Sequence, residues 1–433
     1  MRIVLLVAAL CLATGPTVAL DAIAYKGTLG GSAIVLEMTD PAAGNAVGRY
    51  SYMRVGGDIP LRHLQAAGDV GFVEEAPCTE ATCIIDADGT IADVPLGGTW
   101  SLTANADGKG YGGTWSPADT DKSLAVTLSE IGRRELPSDT EHSAMGLSDS
   151  ALSLRYSDTE PFTPQTAPYD FAKMEVALTE GDVQTLDGNS FRFVSDPRSV
   201  FAFPRVVAFA DGSSTDATNT ALATRHAMIN LAAFSCLDNA YAGFASSGYA
   251  VNMEGGSLGD YDGENIAVGY LSPTVMGWTE AGSTYCGGAH PNNHFDSHLL
   301  DARTGKDLPL ARIFKDWVAV GKVGDYGATI DPAAALAEPE RYYWSAGQPL
   351  IDYVIANRTV SDDAQYEQDC GINDLIASNL GLRFGPNDTV IFSLADLPHA
   401  IFACGDDLLT VKLADIPELL APTAKDYFPS LNQ

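Results

Sequence analysis

Three of the chain's seven histidines fall between positions 290 and 298: His290, His294 and His298, with Asp296 among them. Side chains alternate across a β-strand with period two, so a strand over 295–300 sets His294, Asp296 and His298 on one face. Two imidazoles and a carboxylate in that array could ligate Zn²⁺ or another transition ion. A metal-activated water would then give a metal-dependent hydrolase working through His290, His294 and His298. The plainer reading, favoured from sequence, makes them solvated polar residues on the outer face of a sheet whose inner face carries Phe295 and Leu299.

The segment just before that strand is the best candidate for a contact surface. Gly287 and Gly288 suit a turn with positive φ or a close strand approach, and Tyr285, His290, Asn292 and Asn293 are polar groups that a constrained loop would offer to a partner. Acidic clusters at Asp86-Ala87-Asp88-Gly89 and at Asp260-Tyr261-Asp262-Gly263-Glu264 have the oxygen ligands Ca²⁺ uses, but neither completes a twelve-residue loop with a terminal Glu, and ordinary turns are favoured. There is no Gly-x-Ser-x-Gly elbow, phosphate loop, dinucleotide fingerprint or His-Glu-x-x-His helix. Paired carboxylates for glycoside hydrolysis stay open, since 56 acidic residues make pairs unavoidable. No cofactor and no catalytic residue is assigned.

The elements that must position these residues read as two regions. Over 25–131, short alternating runs are punctuated by glycine, and Gly97-Gly98-Thr99-Trp100-Ser101 returns as Gly112-Gly113-Thr114-Trp115-Ser116 around an Asn-Ala-Asp-Gly turn. This predicts a glycine-rich antiparallel β barrel or sandwich, with the two Trp packed in the core or across strands. Residues 132–168, rich in Ser, Thr, Asp and Pro, are expected as a linker. From 169 to 433 helices and strands mix without regular βαβ alternation, so the fold class is α+β. The clearest helix spans 218–241, with Leu222, His226, Ile229 and Ala233 at helical spacing; further helices are expected over 332–345 and 349–357.

Charge and cysteines bound the setting. Twenty-five Lys and Arg against 56 Asp and Glu give a net charge of −31, a field that repels a phosphate backbone and excludes nucleic acid as a partner. Arg2, the apolar run Ile3–Ala13 and the small residues after it read as a signal peptide over 1–24, with cleavage suited after either Ala19 or Ala24. No later run is long enough to span a bilayer, so the mature chain is expected in the periplasm or secreted, with no transmembrane anchor. Six cysteines then remain, and of their 15 possible pairings, nearness along the chain suggests Cys78 with Cys83, Cys236 with Cys286, and Cys370 with Cys404. A zinc–thiolate centre is disfavoured by the absence of two close Cys pairs.

Tyr285-Cys286-Gly287-Gly288-Ala289-His290, then a strand and Thr304-Gly305-Lys306-Asp307-Leu308-Pro309-Leu310, resembles the extracellular domain shared by RsiV-type lysozyme-sensing anti-sigma factors and PdaC-type peptidoglycan deacetylases. Phe203-Pro204, Leu382-Arg383-Phe384 and Ala403-Cys404-Gly405 agree with it, and the resemblance covers about residues 198 to 421. It implies a domain that binds rather than catalyses, with a lysozyme-like muramidase or another envelope component as partner. Because the anti-sigma relatives sit on a membrane anchor behind a sigma-binding segment and this chain shows neither, a freely exported binder is the expected form. The charge balance suits a cationic partner, since opposite charge speeds encounter; general solubility is the plainer account of the same acidity. A surface-assembly protein is the third expectation.

Overall fold

The computed structural model describes residues 20–432 except 66–69, 79–81, 86–90, 158–159, 200, 245–257, 259–262, 287–290 and 326. Its N-terminal region is a closed antiparallel barrel of eight strands: β1 (Asp21–Leu29), β2 (Ser32–Thr39), β3 (Gly48–Tyr52), β4 (Asp58–His63), β5 (Val70–Glu75), β8 (Leu96–Ala104), β9 (Gly110–Pro117) and β10 (Leu124–Glu135). A small insert, β6 (Ile84–Ile85) with β7 (Ile91–Asp93), lies between β5 and β8. Alternate residues fill the inside, among them Ile23, Tyr25, Ile34, Leu36, Tyr50, Phe72, Trp100 and Leu128. Closure pairs β1 with both β2 and β10, which removes the free edges an open sheet would leave.

The repeated Gly-Gly-Thr-Trp-Ser unit has a structural job. Trp100 and Trp115 stand opposite each other on β8 and β9, and both indole N–H groups donate to the buried Glu74 carboxylate, at 2.9 and 2.8 Å. Burial pushes that carboxyl upward from its ordinary range. Gly98 is needed because a Cβ there would lie 2.6 Å from the Trp115 indole nitrogen.

The expected linker holds more order than its composition implies. β10 runs on to Glu135, and helix α1 (Ala144–Arg155), capped by Ser143, packs on the barrel through Ala144, Leu147 and Ala151. Its contact side chains are small, so little apolar periodicity marks it. Helix α2 (Pro168–Lys173), placed in the second region by the sequence reading, also lies on the barrel, with Tyr169 and Ala172 against Ala24 and Val35. Between barrel and helices runs a buried ion cluster. Arg49 binds Glu37 and Asp58, Arg134 binds Glu37, and Lys173 and the Tyr169 hydroxyl bind Asp58. Asp238, at the end of the long helix α3 (Asp216–Asp238), accepts the Asp58 backbone N–H, and burial next to Asp58 pushes its carboxyl up to about 8. Gly56, at φ +96°, lets the β3–β4 turn meet α3, since a Cβ there would come 2.9 Å from the Phe234 ring.

The remainder is the expected α+β arrangement. Strands β11 (Thr179–Glu180), β12 (Gln184–Leu186), β13 (Asn189–Ser195) and β14 (Ala202–Ala208) form one sheet; β15 (Asn265–Leu271), β16 (Val275–Thr284), β17 (Asn292–Asp301) and β18 (Lys306–Asp307) form the next. Helix α3 joins them through Phe203, Leu222, Ile229, Met276, Trp278 and Leu300. A second core gathers β19 (Trp317–Lys322), with helix α4 (Pro332–Ala337) beside it, β20 (Tyr342–Ala346), the helices α5 (Gln348–Asn357), α6 (Ala364–Cys370) and α7 (Ile372–Asn379), and the sheet β21 (Leu380–Gly385), β22 (Thr389–Leu394), β23 (Asp407–Lys412). The helix expected over 332–345 stops at Ala337. Pro339 disfavours helical geometry just before it, and the β-prone Tyr342-Tyr343-Trp344 pairs with β19 instead. All three disulfides join the cysteine pairs expected from chain proximity.

Candidate functional site

β16 and β17 pair without a break from Val275↔Asp301 to Thr284↔Asn292, which sets His298 opposite Trp278, Asp296 opposite Glu280, and His294 opposite Gly282. The histidine face is not an outer solvated one, as the sequence reading held. It looks toward α3, which covers this sheet through Trp278, Met276 and Leu300, while Leu299 on the other face packs toward the second core. Both faces are occupied because the sheet lies between two packed bodies, which period-two alternation alone cannot reveal.

Each imidazole is engaged by a different carboxylate. His298 stacks on the Trp278 indole, with centroids 4.9 Å apart, and its Nε2 lies 3.3 Å from Glu280 Oε1. Glu280 is 2% exposed; it accepts from the Trp278 indole at 2.9 Å and from Arg225 at 2.6 to 3.1 Å. Burial alone would raise this carboxyl, but His298 and Arg225 outweigh it and hold the group well below the usual carboxylate range. His294 Nε2 lies 2.9 Å from Glu264 Oε1, and this hydrogen bond raises the imidazole above its ordinary value. Asp296 is half-buried and pushed up, chiefly by desolvation and against the pull of His294 and His298. Among the described residues no group of three His, Cys, Asp or Glu is placed to hold a metal ion.

Beside this row opens a cleft of about 690 Å³. One wall is the start of β17: Asn292, Asn293, His294, Phe295 and Asp296. The other runs from Ser393 to Pro398 and includes Phe402 and Asp406, with Arg383 and Asp407 between the walls. Arg383 holds Asp407 through two bonds, at 2.6 and 2.5 Å, and lies over the Phe295 ring at 5.5 Å. At one end Asn293 Nδ2 meets His399 Nδ1 at 2.9 Å, so the far wall is tied to β17. That wall is braced by the Cys370–Cys404 disulfide and by the Tyr366 hydroxyl, which donates to the Cys404 carbonyl. Asp296, Asp396, Asp406 and Asp407 outnumber Arg383 and His294, so the cleft is acidic.

Of the residues singled out by sequence, Asn292, Asn293, His294 and Asp296 come together here. His298 lies instead beside two other cavities, of about 240 and 640 Å³. Tyr285 precedes Cys286, whose carbonyl accepts from Asn239 and whose sulfur is bonded to Cys236. Gly287, Gly288 and His290 lie outside the described residues, as do Asp86, Asp88, Gly89, Asp260, Tyr261 and Asp262. Sequence reasoning missed Arg383, Asp396, Asp406, Phe402, Glu264 and Glu280 as neighbours of this site. Arg383 stood within the Leu382-Arg383-Phe384 stretch that carried part of the resemblance, and Glu264 within the acidic cluster read as an ordinary turn; the others had no local signal. The chain matches no family model and no curated protein.

Proposed function

We propose that the chain is an exported, non-catalytic binding protein of the cell envelope, and that the acidic cleft along β17 receives a cationic protein partner of the lysozyme-like muramidase class. The resemblance of the C-terminal region to lysozyme-sensing domains is part of this reading. The observation that carries it is the cleft itself, where four aspartates face one arginine and one histidine, both already paired, beside Asn292 and Asn293 of the segment singled out as a contact surface. With Arg383 held by Asp407 and His294 by Glu264, Asp296 and Asp396 stand as carboxylates without an ion pair among the described residues, a charge of one sign that suits a cationic surface. Three disulfides accord with an oxidising compartment.

An immobilised lysozyme column tests it. Retention is expected near 20 mM salt and loss of most of it by about 300 mM, because exposed charges are screened beyond a Debye length of roughly 10 Å at 0.1 M. The Asp296→Asn, Asp396→Asn double variant should elute earlier than the wild type. Failure of the wild type to be retained at low salt removes the lysozyme-class partner, and equal elution of the variant removes the cleft as its site.

A further inference from the structure

We infer that the outer edge of β17 is a docking edge, on which an extended segment of the partner, alternating apolar residues with Lys or Arg, adds as a further β-strand. The positive charge of that segment rests on the functional reading above; the strand edge does not. β17 is paired along its whole length with β16, but on its other side β18 covers only Leu300 and Asp301. In an antiparallel ladder the N–H and C=O of one residue point the same way and successive residues alternate. The bond from Leu308 N–H to the Leu299 carbonyl therefore fixes Asn293, Phe295 and Ser297 as the residues whose backbone groups face outward. Among the described residues none of those outward groups has a partner.

Such a row, about 14 Å long at ~3.4 Å per residue, is a template for another strand unless something blunts it. Residues 292–299 hold no Pro or Lys. The edge instead opens on the cleft of about 690 Å³ and on the adjoining cavity of about 240 Å³, which share Arg383 as a lining residue. An added strand would show alternate side chains to two faces. Phe295, Leu397 and Phe402 offer apolar contacts, and Asp296 and Asp396 are carboxylates without an ion pair among the described residues. Strand addition uses main-chain hydrogen bonds for affinity and the alternate side chains for choice of partner.

The probe is a fluorescein-labelled Lys-Val-Lys-Val-Lys-Val-Lys peptide, capped at its C-terminus, titrated with the full mature chain and followed by anisotropy. Saturable binding is expected. N-methylation of the three valines, which removes the donors on one edge, or of the inner lysines, which removes those on the other, should in one of the two cases weaken binding at least about tenfold. Ser297→Pro should do the same from the protein side, because Ser297 is exposed and proline is tolerated where the N–H faces solvent; Ser297→Ala should bind like the wild type. If neither N-methylated peptide binds more weakly, main-chain pairing is absent and the inference is wrong whatever the variants do. Dimerisation by sedimentation that is lost in Ser297→Pro would also overturn it, by making a second copy the occupant. Peptide failure with lysozyme retention intact leaves the proposed function standing, and the reverse pattern removes that function but keeps the edge.

Discussion

Glu37 is the place to break the joint between the barrel and its covering helices. It is fully buried, and its carboxylate is shared by Arg49, with Nε at 2.9 Å, and Arg134, with Nε at 2.7 Å. Glu37→Gln keeps the shape but removes the charge, leaving the buried Arg134 guanidinium with only Ser150 and the Leu147 carbonyl as further partners, while Arg49 keeps Asp58. Removing one partner of a buried ion pair costs about 3 to 5 kcal/mol, since the remaining charge is left uncompensated. At roughly 2 to 4 °C per kcal/mol for a unit of this size, the barrel should melt about 10 °C lower. The assay is urea and thermal unfolding with disulfides intact, read by the fluorescence of the buried Trp100, with the exposed Glu135→Gln as control. Burial pushes the Glu37 carboxyl up, but Arg134 and Arg49 more than reverse this and hold it below its ordinary range. Its contribution is therefore complete above the unfolded value of about 4.3 and fades as pH falls through the folded one, so wild type and variant should converge in acid. A loss below about 1 kcal/mol at pH 7 would refute the reasoning, by showing that the two arginines relax to other acceptors or to water.

Two more outcomes can be checked directly. The His294 imidazole, raised by its bond to Glu264, should titrate by NMR above the ordinary histidine value and move back down in Glu264→Gln; the stabilisation it lends is full below the unfolded value near 6.5 and lost as pH rises through the folded one. No downward movement in the variant would break the pairing. Replacing Cys370 and Cys404 by Ala opens a 34-residue separation and should cost about 3 to 4 kcal/mol by loop entropy. The same change should weaken lysozyme retention, because Cys404 lies between Phe402 and Asp406 of the far wall; unchanged retention would show that the brace is not needed for docking.

Much of the scaffold was legible from the chain. The period-two runs before residue 131 marked barrel strands, and the helix expected over 349–357 is α5. The long helix was found within a few residues of its ends. Helix α1 was not, because its buried side is made of Ala, Gly, a single Leu and Arg155, too little apolar contrast to stand out from a Ser-rich stretch. At the site, alternation correctly set His294, Asp296 and His298 on one face of β17, but it could not say that α3 would cover that face.

Local sterics and hydrophobic alternation act over a few residues, so the sequence by itself determined the barrel strands, the main helix and the acidic balance, while nearness along the chain only suggested the cysteine pairs that the structure joins. The partner of each imidazole was decided only in three dimensions. Glu280 comes to His298 through the β16–β17 pairing and Glu264 to His294 from just ahead of β15 in the same sheet, whereas Arg383 and Asp396 are brought to β17 by the packing of a separate sheet far along the chain, and nothing local marks those two as its neighbours. The open edge of β17 is likewise a property of the sheet, set by how short β18 is.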